Sequence, residues 1–363
     1  MNYTLLYQLE QMLSAQLPCL NGWQQANVAL FSYGVIEAES SQQGAIARAV
    51  SCGEQVESTA RRFRRWLDNN RVDLAAFFEA WSRWVVNSVG TAPITLLVDE
   101  TKLHDHIGVM MVGLAWQGRC LPLAWRTYRA NSQVDYPAEG QVGMIRALLE
   151  PVKRGIGDKA VLVLADRGIG CSPALCRVVE ALHWQYLFRV TCQTKIVTDL
   201  GDYPIARQVQ PGELWMQSGQ VFKQRGRIPA HARALWELGY DEPWALVTND
   251  AGLTGHEYAR RNWQEQSFRD LKSGGWHWGD SRLRSPAHVA NLLVLLVIAY
   301  TWMVALGSQA VAAGIAQPLV HRPDGTRRRL WSLFREGLRY FAQVLRRHTI
   351  CLGFIFIPDT RCT

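Results

Sequence analysis

The sequence predicts an α/β fold: a mixed sheet with a β-rich insertion, flanked by helical regions at both ends. Three observations predict it. Two apolar runs, "PITLLVDET" at 93–101 and "AVLVLADRG" at 160–168, each close on an acid, as buried strands do. Helical patterns, "GQVGMIRALLEPVKRG" and "SPALCRVVEALHW", alternate with strands after residue 130. Between 191 and 243 the texture turns to short apolar pieces divided by Gly, Pro and Asp, which reads as β-rich.

Residues 1–90 read as helical. "TLLYQLEQMLSAQL" has apolar residues at helical spacing, and "VESTARRFRRWLDNN" at 56–70 is expected to begin after a Ser58-Thr59 cap. In that helix Arg61, Arg62, Arg64 and Arg65 surround Phe63 and Trp66, which suits either a DNA-binding module or a solvated basic face. "VDLAAFFEAWSRWVVNSV" is a further helix. The texture changes at Thr91. "IGVMMVGLAWQGRCLPLAWRTY" reads as two strands turning at Gln117-Gly118, so the first three strands form an antiparallel meander. Later strands join through crossover helices, with Pro173 in the first turn of one of them. The order, three strands then helix, strand, helix, strand, suits a mixed sheet of the ribonuclease-H type. "TKIVTDL", "GELWMQSG" and "VFKQRGR" make the insertion, and "PWALVTND" returns to the core. "LLVLLVIAYTWMVAL" at 292–306 is short of the ~20 residues a membrane span needs and reads as a buried core helix. "RRRLWSLFREGLRYFAQVLRRH" reads as a basic amphipathic helix or pair, and residues 317–350 hold eight Arg against two acids, Asp324 and Glu336.

The organisation expected is therefore a helical region at 1–90, an α/β core at 91–190 and 244–315, the insertion at 191–243, and a basic helical region at 316–363. The chain has 363 residues, a net charge of +8 and a pI near 9.2, which favours a polyanionic partner, nucleic acid first. Fifteen Trp are mostly expected in the core. The eight Cys (19, 52, 120, 171, 176, 192, 351, 362) include no CxxC pair and match no zinc spacing, so reduced thiols are expected. "MNYTLLYQLEQ" has neither the basic start nor the apolar run of a signal peptide.

"YARRNWQEQSFRDLKS" at 258–273 carries the chemistry. On an α-helical wheel Tyr258, Arg261, Glu265 and Lys272 share an arc of roughly 60°, and Arg269 widens the stripe. Glu265 and Arg269 also have the spacing of a paired solvated face, so the stripe alone leaves both readings open. Asp99 and Asp166 end two neighbouring strands. Each alone reads most simply as a turn or cap residue. With Glu265 they form a set of hard oxygen ligands suited to divalent cations, and paired ions clamp the attacking and leaving oxygens of a phosphodiester displacement.

Asp99, Asp166 and Glu265 resemble the triad of DDE transposases. Tyr258, Arg261, Glu265 and Lys272 meet the Y-(2)-R-(3)-E-(6)-K signature of transposases of the insertion-sequence-four type without a slip. "DET", with Thr101, resembles that family's first block, and Asp166-Arg167-Gly168 its second. The resemblance covers about 91–310. It implies that Asp99, Asp166 and Glu265 are catalytic and bind two Mg²⁺ ions, with Mn²⁺ substituting. It implies that Tyr258, Arg261 and Lys272 hold DNA phosphates, and that the partners are double-stranded DNA (terminal inverted repeats and target) and a second subunit, as a homodimer in the DNA complex. No membrane is implied, and the location is prokaryotic cytoplasm, at the nucleoid. The activity implied is cut-and-paste transposition through a hairpin intermediate. Arg269, Arg167, Arg61 and Arg65 are further DNA candidates. Trp263 reads as core or as a platform for an extruded base, His104 and His106 as a hairpin flank or as ligands, and "WHWGD" at 276–280 as core or DNA-proximal. The alternatives are a non-catalytic DNA-binding protein of transposase ancestry and a stand-alone ribonuclease-H-like nuclease.

Overall fold

The computed structural model describes residues 2–51, 55–90, 93–132, 134–223, 226–316, 319–321, 327–347 and 354–359. Of the positions singled out above, Cys52, Thr91, Arg322, Asp324, Cys351 and Cys362 lie outside the described residues, as do the side chains of Arg327, Arg328, Arg346 and Arg347.

Five helices come first: α1 (Tyr3–Gln16), α2 (Gly22–Ala38), α3 (Gln43–Val50), α4 (Val56–Leu67) and α5 (Leu74–Val89). Asn2, Asn21 and Asp73 cap α1, α2 and α5 with side-chain oxygens, and Asn21 and Gln24 form a reciprocal capping box. Helix α4 starts two residues before Ser58, so Ser58 and Thr59 lie inside its first turn and cap nothing. Next come β1 (Ile94–Leu103), β2 (Ile107–Trp116), β3 (Arg119–Arg129), α6 (Gly140–Ile156), β4 (Val161–Ala165), α7 (Arg167–Gly170), α8 (Pro173–Ala181) and β5 (Gln185–Arg189). The insertion supplies β6 (Lys195–Thr198), β7 (Gly201–Pro204), β8 (Leu214–Val221) and β9 (Ile228–Leu235). Then follow β10 (Trp244–Thr248), α9 (Asn262–Leu271), α10 (Pro286–Ala312), β11 (Leu319–His321), β12 (Arg327–Arg329) and α11 (Leu333–Arg347).

The main sheet runs β3-β2-β1-β4-β5-β10-β9-β8-β6-β7. β1–β3 form the antiparallel meander turning at Gln117-Gly118, and β1, β4 and β5 are parallel, joined by crossover helices. This mixed sheet with helices at both ends is consistent with a ribonuclease-H-like fold. The insertion strands continue the core sheet through the β10–β9 pairing.

Two further sequence expectations change. β1 does not stop at Asp99 but runs on to Leu103, because β2 keeps pairing with it through Leu103↔Ile107. The C-terminal basic stretch is not one helix or a helix pair: Arg327–Arg329 pair as β12 with β11, and the helix begins only at Leu333.

Helix α10 organises the interior. Among the described residues it is the one helix long and apolar enough to cross a membrane, and it is buried along nearly all its length as a core helix. The N-terminal helices dock on it directly. Trp66 of α4 donates its indole N–H to the Asn291 carbonyl at 3.1 Å, and Asn291 donates back to Leu67 and Asn69 carbonyls. Ser32 of α2 donates to the Leu295 carbonyl. α11 crosses α10 at glycines, where a Cβ on Gly337 would fall 1.8 Å from the Met303 carbonyl oxygen and one on Gly307 equally close to that of Leu333. Phe354 then packs on Trp81, Trp84 and Trp302, so a single core runs from α1 to the C-terminal segment.

Candidate active site

The register of β1 and β4 places the first two acids. Val98 stands opposite Ala165, the last residue of β4, so Asp99 is level with Asp166, the residue that follows the adjacent strand. Alternation puts Leu97, Asp99 and Thr101 on one face of β1 and Leu96, Val98 and Glu100 on the other. Leu97 joins Leu162, Leu164, Leu187 and Leu246 in a small apolar cluster that Tyr258 and Trp263 cover, so Asp99 opens towards the segment carrying Glu265. Glu100 turns away and accepts a hydrogen bond from the Tyr128 hydroxyl. The "DE" pair is thereby divided between two faces.

Asp166 retains the simple role as well: its carboxylate caps α7, accepting from the Ile169 N–H at 3.1 Å. The 258–273 segment is not one α-helix. His256–Arg261 is a 3₁₀ turn and the α-helix begins at Asn262, so the wheel that placed Tyr258 and Glu265 on one stripe overstates their alignment. Tyr258 is 4% exposed and packs edge-on against Trp244. It is therefore a buried ring beside the acids rather than a residue on an open basic face, and burial raises its hydroxyl pKa. Trp263 is half-buried against the same cluster.

Arg261 stands among the three acids. Its Nη2 lies 3.0 Å from Asp99 and 3.6 Å from Asp166, and its Nη1 contacts Glu265 one turn on. Burial pulls the guanidinium pKa down, but Asp99, Tyr258, Glu265 and Asp166 together hold it above its ordinary value. Burial pushes Asp99 up to about 6 against the pull of Arg261, and the charges of Asp166 and Glu265 push the same way. Lys272, the C-cap of α9, donates to the Thr101 hydroxyl at 2.6 Å, and burial lowers its pKa while Asp99 opposes the shift. Among the described residues no three acidic, histidine or cysteine side chains converge as a ready ion site. The sequence had suggested Asp99, Asp166 and Glu265 as metal ligands. In the fold, a guanidinium stands between them.

The other candidates scatter. Arg269 is exposed on α9. Arg167 is half-exposed and pairs at 3.9 Å with Glu242, which also binds Arg189 at 2.5 Å. Arg61 and Arg65 are exposed on α4, while Arg62 donates to Asn27 and Arg64 pairs with Glu57. His104 contacts the Gly279 carbonyl at 2.9 Å and lies with His106 in the β1–β2 turn. Trp276 and Trp278 are fully buried. Arg329 is paired with Asp359 and donates to the Gln117 carbonyl.

Several supports were not foreseen. Behind α9, Arg119 and Asp270 form a buried ion pair at 2.7 Å. Ser267 accepts from the Cys120 N–H and the Tyr300 hydroxyl, tying α9 to β3 and α10. Gly275 ends this region because a Cβ there would fall 2.4 Å from the Asp270 carbonyl oxygen. Arg233 of β9, 2% exposed, donates to the carbonyls of Ala251 and Leu253 and so clamps the loop that leads to Tyr258. An arginine inside the small-residue strand "IPAHARAL" was the available signal.

Residues 138–302 match a family model described as the transposase DDE domain. The match takes in Asp166, Tyr258, Arg261, Glu265 and Lys272, whereas Asp99 lies ahead of it. It supports a DDE transposase, a class of DNA-cutting and DNA-joining enzymes that use divalent metal ions. No curated protein matches the chain.

Proposed function

We propose that this protein is a transposase of the insertion-sequence-four type, which cuts DNA at the ends of a mobile element and joins the freed ends to target DNA. The observation that carries the reading is the level placement of Asp99 on β1 and Asp166 just past the end of the parallel β4, with Glu265 joined to both through Arg261. The donor set fits a hard divalent cation. All three ligands are carboxylates, they share one guanidinium, and burial holds Asp99 up to about 6 against the pull of that guanidinium. Asp99, Asp166 and Glu265 would hold Mg²⁺, or Mn²⁺ in its stead, as a pair of ions. Bound there, divalent metal supplies a Lewis acid that activates water and offsets charge building on the phosphate.

The protein's own groups bind and orient. Arg261 has the fork for bidentate phosphate contact, and Lys272 supplies a point charge from the end of α9. Arg269 extends that grip on the exposed side. Tyr258 and Trp263 support the turn from beneath, and Arg167 is placed to meet DNA beside the second acid. Arg61 and Arg65 give the 1–90 region a basic outer face on α4. Each chemical step is an in-line displacement at phosphorus, so one site serves first-strand cutting, hairpin closure, reopening and joining. Two element ends call for two subunits in the DNA complex.

The test is cleavage of a labelled duplex carrying the element's own end, with Mg²⁺ or Ca²⁺, by wild type and Glu265→Ala. Mg²⁺-dependent nicking and a hairpin, both lost in the variant, are expected. Tight binding without cleavage in any metal would instead make the chain a DNA-binding relative. Cutting without hairpin or joining would make it a nuclease.

A further inference from the structure

We propose that Arg261 is an internal counter-ion: it occupies the cation's place among the acids until metal and DNA arrive, and its transfer to a phosphate couples the two binding events. The proposal rests on reading Asp99, Asp166 and Glu265 as metal ligands.

The geometry is unusual for a residue meant only to grip DNA. One guanidinium touches all three acids, Nη2 reaching Asp99 and Asp166 and Nη1 reaching Glu265. The neighbouring cations are engaged elsewhere. Lys272 is on Thr101, Arg260 donates to the Thr95 hydroxyl, and Arg167 pairs with Glu242. Arg261 is thus the side chain that neutralises the acids, at 18% side-chain exposure. Its fit is incomplete, because its Nε is buried without a hydrogen-bond partner among the described residues. Leaving one donor of the fork unsatisfied in a buried place makes the parked state a compromise, not a destination.

Two consequences follow from charge alone. A divalent ion entering between the acids meets the guanidinium in its way and repels it. Once displaced, the fork needs a new anion, and a phosphate oxygen offers the same bidentate geometry as a carboxylate. By linkage, DNA that captures Arg261 raises metal affinity, and metal that ejects Arg261 raises DNA affinity by the same factor. A site loaded only when DNA is present avoids stray cutting.

The experiment is a Mn²⁺ titration of the full chain, reading free Mn²⁺ by electron paramagnetic resonance, with and without a duplex of the element's end. Without DNA, Arg261→Gln is expected to bind Mn²⁺ about tenfold more tightly than wild type, within the usual range for coupled sites. Arg261→Lys, which keeps the charge but loses the fork, should lie between. DNA should tighten Mn²⁺ binding in wild type and do so far less in Arg261→Gln. Equal or weaker Mn²⁺ binding by Arg261→Gln, with Asp99→Asn clearly impaired, overturns the counter-ion and leaves the metal site standing. Mn²⁺ binding indifferent to Asp99→Asn overturns the metal reading, and the counter-ion with it. A second measurement needs no variant: modification of Arg261 by phenylglyoxal, mapped by mass spectrometry, should rise when Mn²⁺ is added to wild type. No rise, or a fall, counts against the proposal.

Discussion

Helices α9 and α10 lie in contact, yet they solve opposite problems. α10 is apolar around its whole circumference and buried along nearly all of it, with α2, α4, β3 and α11 against it. α9 is short and two-sided. Gln264, Ser267, Phe268, Asp270 and Leu271 are buried, while Glu265 and Arg269 reach solvent. The Tyr300–Ser267 hydrogen bond joins the two. The difference teaches how the site is held. The long helix supplies rigidity through packed area, and the short one borrows it through a few buried polar contacts so that its outer face can carry charge.

The comparison can be broken most severely at α10. Gly337→Ala forces a methyl into the Met303 carbonyl, and because both neighbours are backbone the helices must part. The expected loss is about 3 kcal/mol or more, the upper range for overpacking, read as a fall in thermal midpoint and denaturant midpoint together. The same change on the solvent side of α9 would be mild.

Asp270→Asn sharpens the contrast by separating charge from shape. Burial lifts this carboxyl to about 6 although Arg119 sits beside it. A carboxyl whose folded pKa lies above its unfolded value costs stability as pH rises from the usual carboxylate range through about 6. The variant should therefore gain on wild type over that window, on the order of 1–3 kcal/mol, and the gap should close at lower pH where Asp270 is protonated. Thermal melts of both proteins across pH check this. A variant that instead loses on wild type as pH rises would mean that the Arg119 pairing, not burial, dominates.

The smallest structural effect is expected at Arg269→Ala. The side chain is exposed, so stability should stay within about 0.5 kcal/mol. DNA affinity should fall nonetheless, and the slope of log affinity against log salt should flatten by about one unit if one phosphate contact is lost. Fluorescence anisotropy at several salt concentrations reads both.

Periodicity was enough to read the meander, the crossover order, the β-rich character of 191–243 and the core character of α10, since each depends on which residues are apolar and how far apart they stand. Spacing and residue type were enough to single out Asp99, Asp166, Glu265, Arg261 and Lys272. What they could not reveal depends on neighbours distant in the chain. β1 passes Asp99 because β2 goes on pairing with it. Tyr258 is buried because Trp244 and the leucines of four strands meet over it. Asp99 and Glu100 differ only by the face on which the pleat puts them. Above all, the sequence listed an arginine beside three acids as separate instruments of grip and catalysis. Only the tertiary structure decided that the first stands among the others, because burial makes an uncompensated carboxylate cluster costly and Arg261 lies one turn before Glu265.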